Sequence, residues 1–342
     1  MSDAAFDRVP EPQRATARSV LEQVLGPGRV TDLQAVSGGA SGALAYRVET
    51  RDRPLLLRIE AGLNARQNPN HYACMQAAAD AGIAPALHFM DAAQGVALMD
   101  FVTQQPLGSY PGGVGALVRA LGELIRRLQD GTRFPAPEIS YPEVTGRLLH
   151  FISASRVFAP GLLEPHRAGF ERVRDAFGWD TAALVSSHND PNPRNILFDG
   201  TRLWLVDWET AYQNDPLVDV AVVTHELAWS SGLQEIVLES WLGRAPDRVT
   251  RARLVGARQL TRLFFACVLF RHFAGDPERR PDSDLSALTP EQFLLALQSK
   301  RLRVGTPQVL YEFGKMFLAA FSQELTTREF EDALVTMRAE SK

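Results

Sequence analysis

An α+β chain in two unequal lobes is the fold class this sequence predicts, and three observations predict it. Strand signals crowd the first hundred residues, and helical periodicity takes over after Thr103. No internal period of roughly 20 to 50 residues appears, which sets aside solenoids and propellers. At ~150 residues per domain, a chain of 342 residues divides into about two.

Taken in order, strands are predicted over 30–36, 42–50 and 54–60, then as a second pair over 86–90 and 95–99. Between them one helix is marked by Asn68 as N-cap, Pro69 at the first helical position and Gly82 just past its end. The small lobe is thus an antiparallel sheet crossed by one helix. Beyond Thr103, helices are predicted over 113–130, 164–177, 217–229, 234–241, 251–273, 289–302, 308–322 and 327–341, interrupted by a short hairpin near residue 200. The reading divides the chain into a small lobe, 1–103, ending in a hinge, and a mainly helical large lobe, 104–342. A cleft between such lobes invites a site.

Lys plus Arg number 36 against 40 for Asp plus Glu, a net charge of −4. The Arg-rich stretches are short and scattered, so the positive field that nucleic-acid binding rests on is missing. Cys74 and Cys267 are too few for a disulfide framework or a zinc cluster, which favours a reducing cytoplasm. The N-terminal MSDAAFDRVPEPQRATARSV lacks the apolar core of a signal peptide. In the apolar stretch 254–274, Arg258, Arg262 and Arg271 recur at near-helical spacing, so it reads as a core helix with an arginine stripe and not as a membrane span. A cytoplasmic protein is expected; its oligomeric state is not legible.

The chemistry concentrates in 186–221, SSHNDPNPRNILFDGTRLWLVDWETAYQNDPLVDVA. Apolar runs at 196–198 and 203–206 flank Asp199-Gly200, a strong hairpin signal because both residues tolerate positive φ. The open end of such a hairpin brings Asn195 and Asp207 side by side, roughly 5 Å apart. Upstream, Pro191 and Pro193 keep the turn around Asp190 from being helical, and this loop delivers a second carboxylate to the same end. An Asp, an Asn five residues on and an Asp closing the next strand give the order base, metal-holding Asn, metal-holding Asp described for phosphoryl-transfer loops. Hard Mg2+ asks for oxygen ligands, and an acceptor hydroxyl asks for a placed carboxylate. Each residue alone would be an ordinary turn residue. With Trp208-Glu209 and 214–219 following, the set points to a functional constellation.

This segment resembles the aminoglycoside phosphotransferase and choline kinase superfamily, whose signature is a His-x-Asp loop, an Asn five residues after the Asp, and Asp-[Phe/Trp]-Glu after a short hairpin. Here these are His188-Asn189-Asp190, Asn195 and Asp207-Trp208-Glu209, and 207–219 is closest to bacterial choline kinase-like members. The resemblance implies a two-lobed protein-kinase-like fold, ATP and Mg2+ as cofactors and a small-molecule alcohol as substrate. It implies Asp190 as catalytic base, Asn195 and Asp207 as Mg2+ ligands, His188 as a brace of the loop, and Asp219 as a helix cap or brace. Glu209 would lie near metal or acceptor.

On the nucleotide side, Ser37, Gly38, Gly39, Ala40, Ser41 and Gly42 join two strands, and in the resemblance this loop covers the triphosphate through its backbone N–H groups. Alternation in 54–60 puts Leu56 and Arg58 on one face, opposite Leu55, Leu57 and Ile59. Leu56 would roof the adenine and Arg58 would reach the α- and β-phosphates. The plainer alternative for Arg58 is a solvent-facing charge on an edge strand. Asp100, Phe101 and Val102 would form the hinge whose backbone pairs with adenine. Two departures stand out. Family members usually carry a Glu in the small-lobe helix to orient the basic residue, yet 61–79 holds no acidic residue and Asp80 falls in the last turn. Either Arg58 orients without a helix carboxylate, or His71 or Gln76 substitutes through a neutral contact. The glycine loop also ends in Gly42 where an Asn often stands.

The acceptor stays open. A choline- or ethanolamine-like amino alcohol is the leading reading, aminoglycosides, thiamine and homoserine are alternatives, and a nucleotide-binding pseudokinase is the non-enzyme alternative. A cationic acceptor would need aromatic faces with carboxylates close by. Trp208, Tyr212, Trp229 with Glu226, Tyr311, Phe313 and Phe317 are the aromatics available, although aromatics at helical spacing usually belong to cores. An aminoglycoside pocket would want acidic residues in the last helices, where Glu324, Glu329, Glu331 and Asp332 read as a solvated face.

Overall fold

The alternation of Leu55, Leu57 and Ile59 with Leu56 and Arg58 produces β3 (Leu55–Ile59), whose first set is buried and whose second is half-buried. In this computed structural model, which describes residues 3–36, 43–60, 70–131, 133–180, 183–276 and 278–340, β3 is the middle of a five-stranded antiparallel sheet. With β1 (Val30–Ala35), β2 (Leu44–Thr50), β4 (Leu87–Asp91) and β5 (Val96–Asp100), the order is β1-β2-β3-β5-β4. Tyr46 is paired with Leu57, and Arg58 with Ala97. The arginine therefore stands on an inner strand, not on an edge. Helix α1 (Glu11–Leu25) lays Ala17, Val20 and Leu21 on a core of Leu33, Val48, Leu57 and Leu98. Burying each of these large side chains is worth about 1.5–3 kcal/mol, which ties the helix to the sheet.

The chain forms two compact units. The first takes Met1–Ala136, Val185–Gln213 and Glu226–Trp241, so the sheet and residues 186–213 of the segment rich in chemistry belong to one body. Besides the sheet it holds α2 (His71–Asp80), α3 (Gly113–Gln129), nearly all of α7 (Ser231–Leu242), β6 (Val185–Ser187) and the hairpin of β7 (Ile196–Phe198) and β8 (Leu203–Leu205). The expected N-cap Asn68 and Pro69 lie outside the described residues; α2 starts at His71 with Asn70 before it. The hairpin turns where Asp199-Gly200 predicts it. Asp199 Oδ1 accepts from the Thr201 and Arg202 amides at 2.7 and 2.9 Å, and Gly200 has φ +97°, a conformation favouring glycine.

The second unit takes Pro137–Leu184, Asn214–His225 and Leu242–Lys342. Its central element is α8 (Arg248–Arg271), against which α4 (Tyr141–Ala154), α5 (Glu164–Phe177), α10 (Pro307–Leu325) and α11 (Arg328–Glu340) pack. The arginine stripe is explained here: Arg258 and Arg262 both clasp Glu324 of α10, all three nearly buried. Glu324 is therefore not part of a solvated face, whereas Glu329, Glu331 and Asp332 are exposed. Helix α6 (Leu217–Glu226) ends three residues earlier than its apolar pattern suggests, and α9 (Pro290–Gln298) stops four residues short of its expected end. The latter opens on a capping box of Thr289 and Gln292. Among the described residues no helix is long and apolar enough to cross a membrane.

Helices α1 and α4 do not follow from the apolar pattern. The buried stripe of α4 includes Pro142 and Thr145, which periodicity counts as breaker and polar. A readable signal was present all the same, because Ser140-x-x-Glu143 is a capping-box pattern and Ser140 Oγ accepts from the Glu143 amide at 3.3 Å.

Candidate active site

The loop 188–195 is held open by its own side chains. Asn189 takes φ 67°, a left-handed conformation that Asn tolerates better than most residues, and its Nδ2 donates to the Thr210 carbonyl at 2.8 Å. Thr210 Oγ1 returns a hydrogen bond to the His188 carbonyl at 3.0 Å. His188 Nε2 donates to the Val206 carbonyl at 2.9 Å, and burial drives its pKa from 6.5 to about 4, so the ring is neutral. His188 thus ties the loop to the residue that precedes Asp207.

Asp190 is half-buried, and both its carboxylate oxygens are engaged: Asn192 Nδ2 donates to Oδ1 at 2.8 Å and Asn195 Nδ2 to Oδ2 at 3.3 Å. Asn195 Nδ2 also donates to the Asp190 carbonyl at 2.9 Å. With its amide nitrogen committed to Asp190, Asn195 has Oδ1 as the atom that could meet a metal ion. Asn192 is a site residue the sequence reading missed. The Asn-Pro pair that closes the turn was its signal, since an Asn side chain in a turn commonly satisfies its neighbours.

The hairpin register differs by one residue from the expected pairing. Ile196 faces Leu205 and the Val206 amide donates to the Asn195 carbonyl at 2.9 Å, so Asn195 stands opposite Val206. Asp207 follows with φ 69° and ψ 70°. Its Oδ1 is buried and accepts no hydrogen bond among the described residues, while Arg58 Nη1 stands 3.8 Å away. A carboxylate oxygen withdrawn from water without a donor is the environment a cation relieves. A hard divalent ion matches this donor set of one carboxylate and one amide oxygen, its remaining positions being filled by water and phosphate. Among the described residues no cluster of three His, Cys, Asp or Glu could hold a metal unaided.

Arg58 reaches this end of the hairpin across 151 positions of sequence and pairs with Glu209. Glu60 Oε1 lies 3.8 Å from its Nη2, and His71 Nε2 lies 2.9 Å from the same carboxylate oxygen. The carboxylates around Arg58 thus come from Glu60 and from the turn at 207–209. Gln76 instead bonds Asp80. Glu60 was missed by the sequence reading, although it continues the face of Leu56 and Arg58 by strand alternation.

The remaining expected residues are distributed as follows. Trp208, expected to present a face to substrate, is instead 1% exposed, its ring packed on His188 and edge-on to Phe134. It supports the loop from beneath. Trp229 is 71% exposed. Glu226, three residues earlier, is largely buried, and burial lifts its pKa to about 7 against the opposing pull of Arg194. The Asp100 amide donates to the Ala86 carbonyl, and its carboxylate holds His88 at 2.8 Å and Arg53 at 3.1 Å. The Arg47 guanidinium covers the Phe101 ring at 4.7 Å, and Val102 is half-buried. Ser37, Gly38, Gly39 and Ser41 lie outside the described residues.

In the second unit Tyr311 already has cations of its own chain on its ring, Arg279 at 4.3 Å and Lys315 at 5.5 Å, and its hydroxyl donates to Asp282. Phe317 stacks on His225 and Phe265. Asp215 Oδ1, not Asp219, accepts from the Leu217 amide at the start of α6; Asp219 is fully buried within the first turn.

A family model described as "Phosphotransferase enzyme family" matches residues 32–253. Among curated proteins the chain is similar to Protein LicA of Haemophilus influenzae, 39% identical over 58 residues. That match covers 17% of this chain and 22% of the relative, so the chain spans about a fifth of the length of that protein. Among solved structures it is similar to a choline/ethanolamine kinase family protein from Mesorhizobium loti, with 22% identity, a TM-score of 0.69, and coverage of 95% of this chain and 99% of that one. It is also similar to a spectinomycin phosphotransferase in complex with ADP and spectinomycin, with 14% identity, a TM-score of 0.53, and coverage of 95% and 98%. At such identities the likeness is one of fold, and the expected protein-kinase-like α+β architecture is the one observed.

Proposed function

This chain belongs to the phosphotransferase enzyme family, and from that premise we propose that it moves the γ-phosphate of ATP, in the presence of Mg2+, to the hydroxyl of a small amino alcohol of the choline and ethanolamine type. The observation that carries the reading is the trio of Asp190, Asn195 and Asp207 on one hairpin end, with Arg58 3.8 Å from the Asp207 carboxylate.

Asp190 takes the proton of the acceptor hydroxyl, its carboxylate aimed by Asn192 and Asn195. Asn195 Oδ1 and Asp207 would hold Mg2+, which when bound offsets charge on the phosphate oxygens. Arg58 carries a permanent charge and a planar fork suited to phosphate, and the glycine loop 37–42 would supply backbone donors above it. Asp100 to Val102 would line the adenine, and residues 1–103 would act as the nucleotide lobe. Glu209, next to Arg58, would face metal or acceptor.

An acidic and an aromatic side chain three residues apart favour a cationic acceptor: Glu226 supplies a carboxyl and Trp229 an open indole face. The Mesorhizobium loti neighbour is a choline/ethanolamine kinase family protein. ADP release measured across a panel of choline, ethanolamine, thiamine, homoserine and aminoglycosides tests this. Mg2+-dependent release with the amino alcohols is expected. Release with aminoglycosides alone would move the acceptor class, and release with no alcohol would sink the reading.

A further inference from the structure

A guanidinium that meets phosphate must be aimed, and 61–79 offers no acidic residue to aim it. Building on the phosphotransferase reading above, we propose that Glu60, clamped by His71, is the positioning residue for Arg58. The small-lobe helix thereby acts on the arginine through a histidine and a strand carboxylate.

Three carboxylates approach Arg58, and they differ in kind. The side chains of Asp207 and Glu209 are 34% and 28% exposed and sit in the turn that would meet the nucleotide and acceptor. Glu60 is 4% exposed and stands two residues beyond Arg58, just past the end of β3, so continued alternation puts the two side chains on one face. Its backbone is fixed as well, since its amide donates to the Gly95 carbonyl at 2.8 Å. Gly95, with φ +66°, gives the Glu60 side chain its room, because a Cβ there would lie 3.1 Å from Glu60 Cβ.

His71, in the first turn of α2, is itself buried and stands 2.9 Å from the same Glu60 oxygen that faces Arg58. The Tyr72 phenol is pushed well above its ordinary range by burial first and by the Glu60 charge second, which puts that charge close to the helix start. A carboxylate so enclosed is costly unless charge stands near it, and the guanidinium at 3.8 Å and the imidazole at 2.9 Å lie within ion-pair range, although Glu60 accepts no side-chain hydrogen bond among the described residues. Glu60 thus ties α2 to Arg58 without touching phosphate. Glu209 and Asp207 remain available for exchange when nucleotide enters.

The test is a double-mutant cycle on the full chain with Glu60→Gln and Arg58→Met, read by calorimetric titration with Mg-ATP and by steady-state kinetics. Glu60→Gln should weaken ATP binding about tenfold, the low end of what removing an outer-shell partner costs. KM for ATP should rise while KM for the acceptor stays put. In the Arg58→Met background the same change should cost nothing further, because its effect runs through the arginine. An unchanged ATP affinity in Glu60→Gln, or an undiminished loss in the Arg58→Met background, overturns the assignment. If Glu60→Gln fails to fold, His71→Asn is judged by the same two criteria. A wild-type chain that binds no ATP would instead remove the phosphotransferase reading, and this one with it.

Discussion

His188 holds the Val206 carbonyl at 2.9 Å while the Val206 amide donates to Asn195, so one residue of strand is gripped from the loop on both its polar groups. The neutral ring this needs has a pH signature. The unfolded imidazole titrates near 6.5 and the folded one near about 4, so between these values the unfolded chain takes up a proton that the native one refuses. The stability contributed is complete above about pH 6.5 and is lost as pH falls toward about 4, amounting to ~3 kcal/mol. Thermal unfolding of His188→Gln at several pH values should show less acid sensitivity than the wild type. Equal sensitivity would contradict the neutral, buried ring.

Asp190→Asn keeps the shape of the loop and removes the proton acceptor. Turnover should fall by about two to four orders of magnitude. ATP affinity should stay within about twofold, since the residue serves the acceptor and not the nucleotide. Unchanged turnover in an ADP-release assay would take Asp190 out of the base role.

Glu226 has its pKa lifted to about 7 by burial, so its carboxylate fraction grows as pH rises through neutrality. KM for a cationic acceptor should therefore drop as pH goes from about 6 to about 8, and Glu226→Gln should flatten that dependence. A pH profile identical in the two proteins would place the acceptor elsewhere.

Asp215 is almost wholly buried and pairs with Arg253 at 2.5 Å while accepting from the Leu217 amide. Burial raises its pKa and Arg253 opposes that rise. Arg253→Ala leaves the carboxylate without its partner and should cost about 3–5 kcal/mol in denaturant unfolding. A loss below about 1 kcal/mol would mean that the pair matters little.

How far the sequence reached is visible at particular residues. The hairpin at Asp199-Gly200, the strand of Arg58 and the loop around Asp190 were legible because turn chemistry and period-2 alternation act over a few residues. The expected pairing of Asn195 with Asp207 was off by one, Val206 standing there instead, since hairpin register depends on where the ladder ends. The placement of Trp208 was misjudged for a different reason: an aromatic beside a loop carboxylate looks the same in sequence whether it faces solvent or is buried. Glu60 escaped because its partner His71 comes from another element, and no local pattern announces a contact made by folding. Pro142 and Thr145 hid the buried face of α4 from any count of apolar residues.

Asp207 adopts a left-handed backbone, φ 69°, that costs a non-glycine residue about 1–2 kcal/mol, and its one buried oxygen, Oδ1, accepts no hydrogen bond among the described residues. Under the proposed metal-holding role, selection for robustness and selection for chemistry would pull against each other at this position. Asp207→Gly should melt at or above the wild-type temperature while losing the Mg2+ dependence of ATP binding, a combination that differential scanning calorimetry and metal titration would register together. A laboratory evolution scheme that rewards heat tolerance alone would drift toward glycine here and return a sturdier but inert protein.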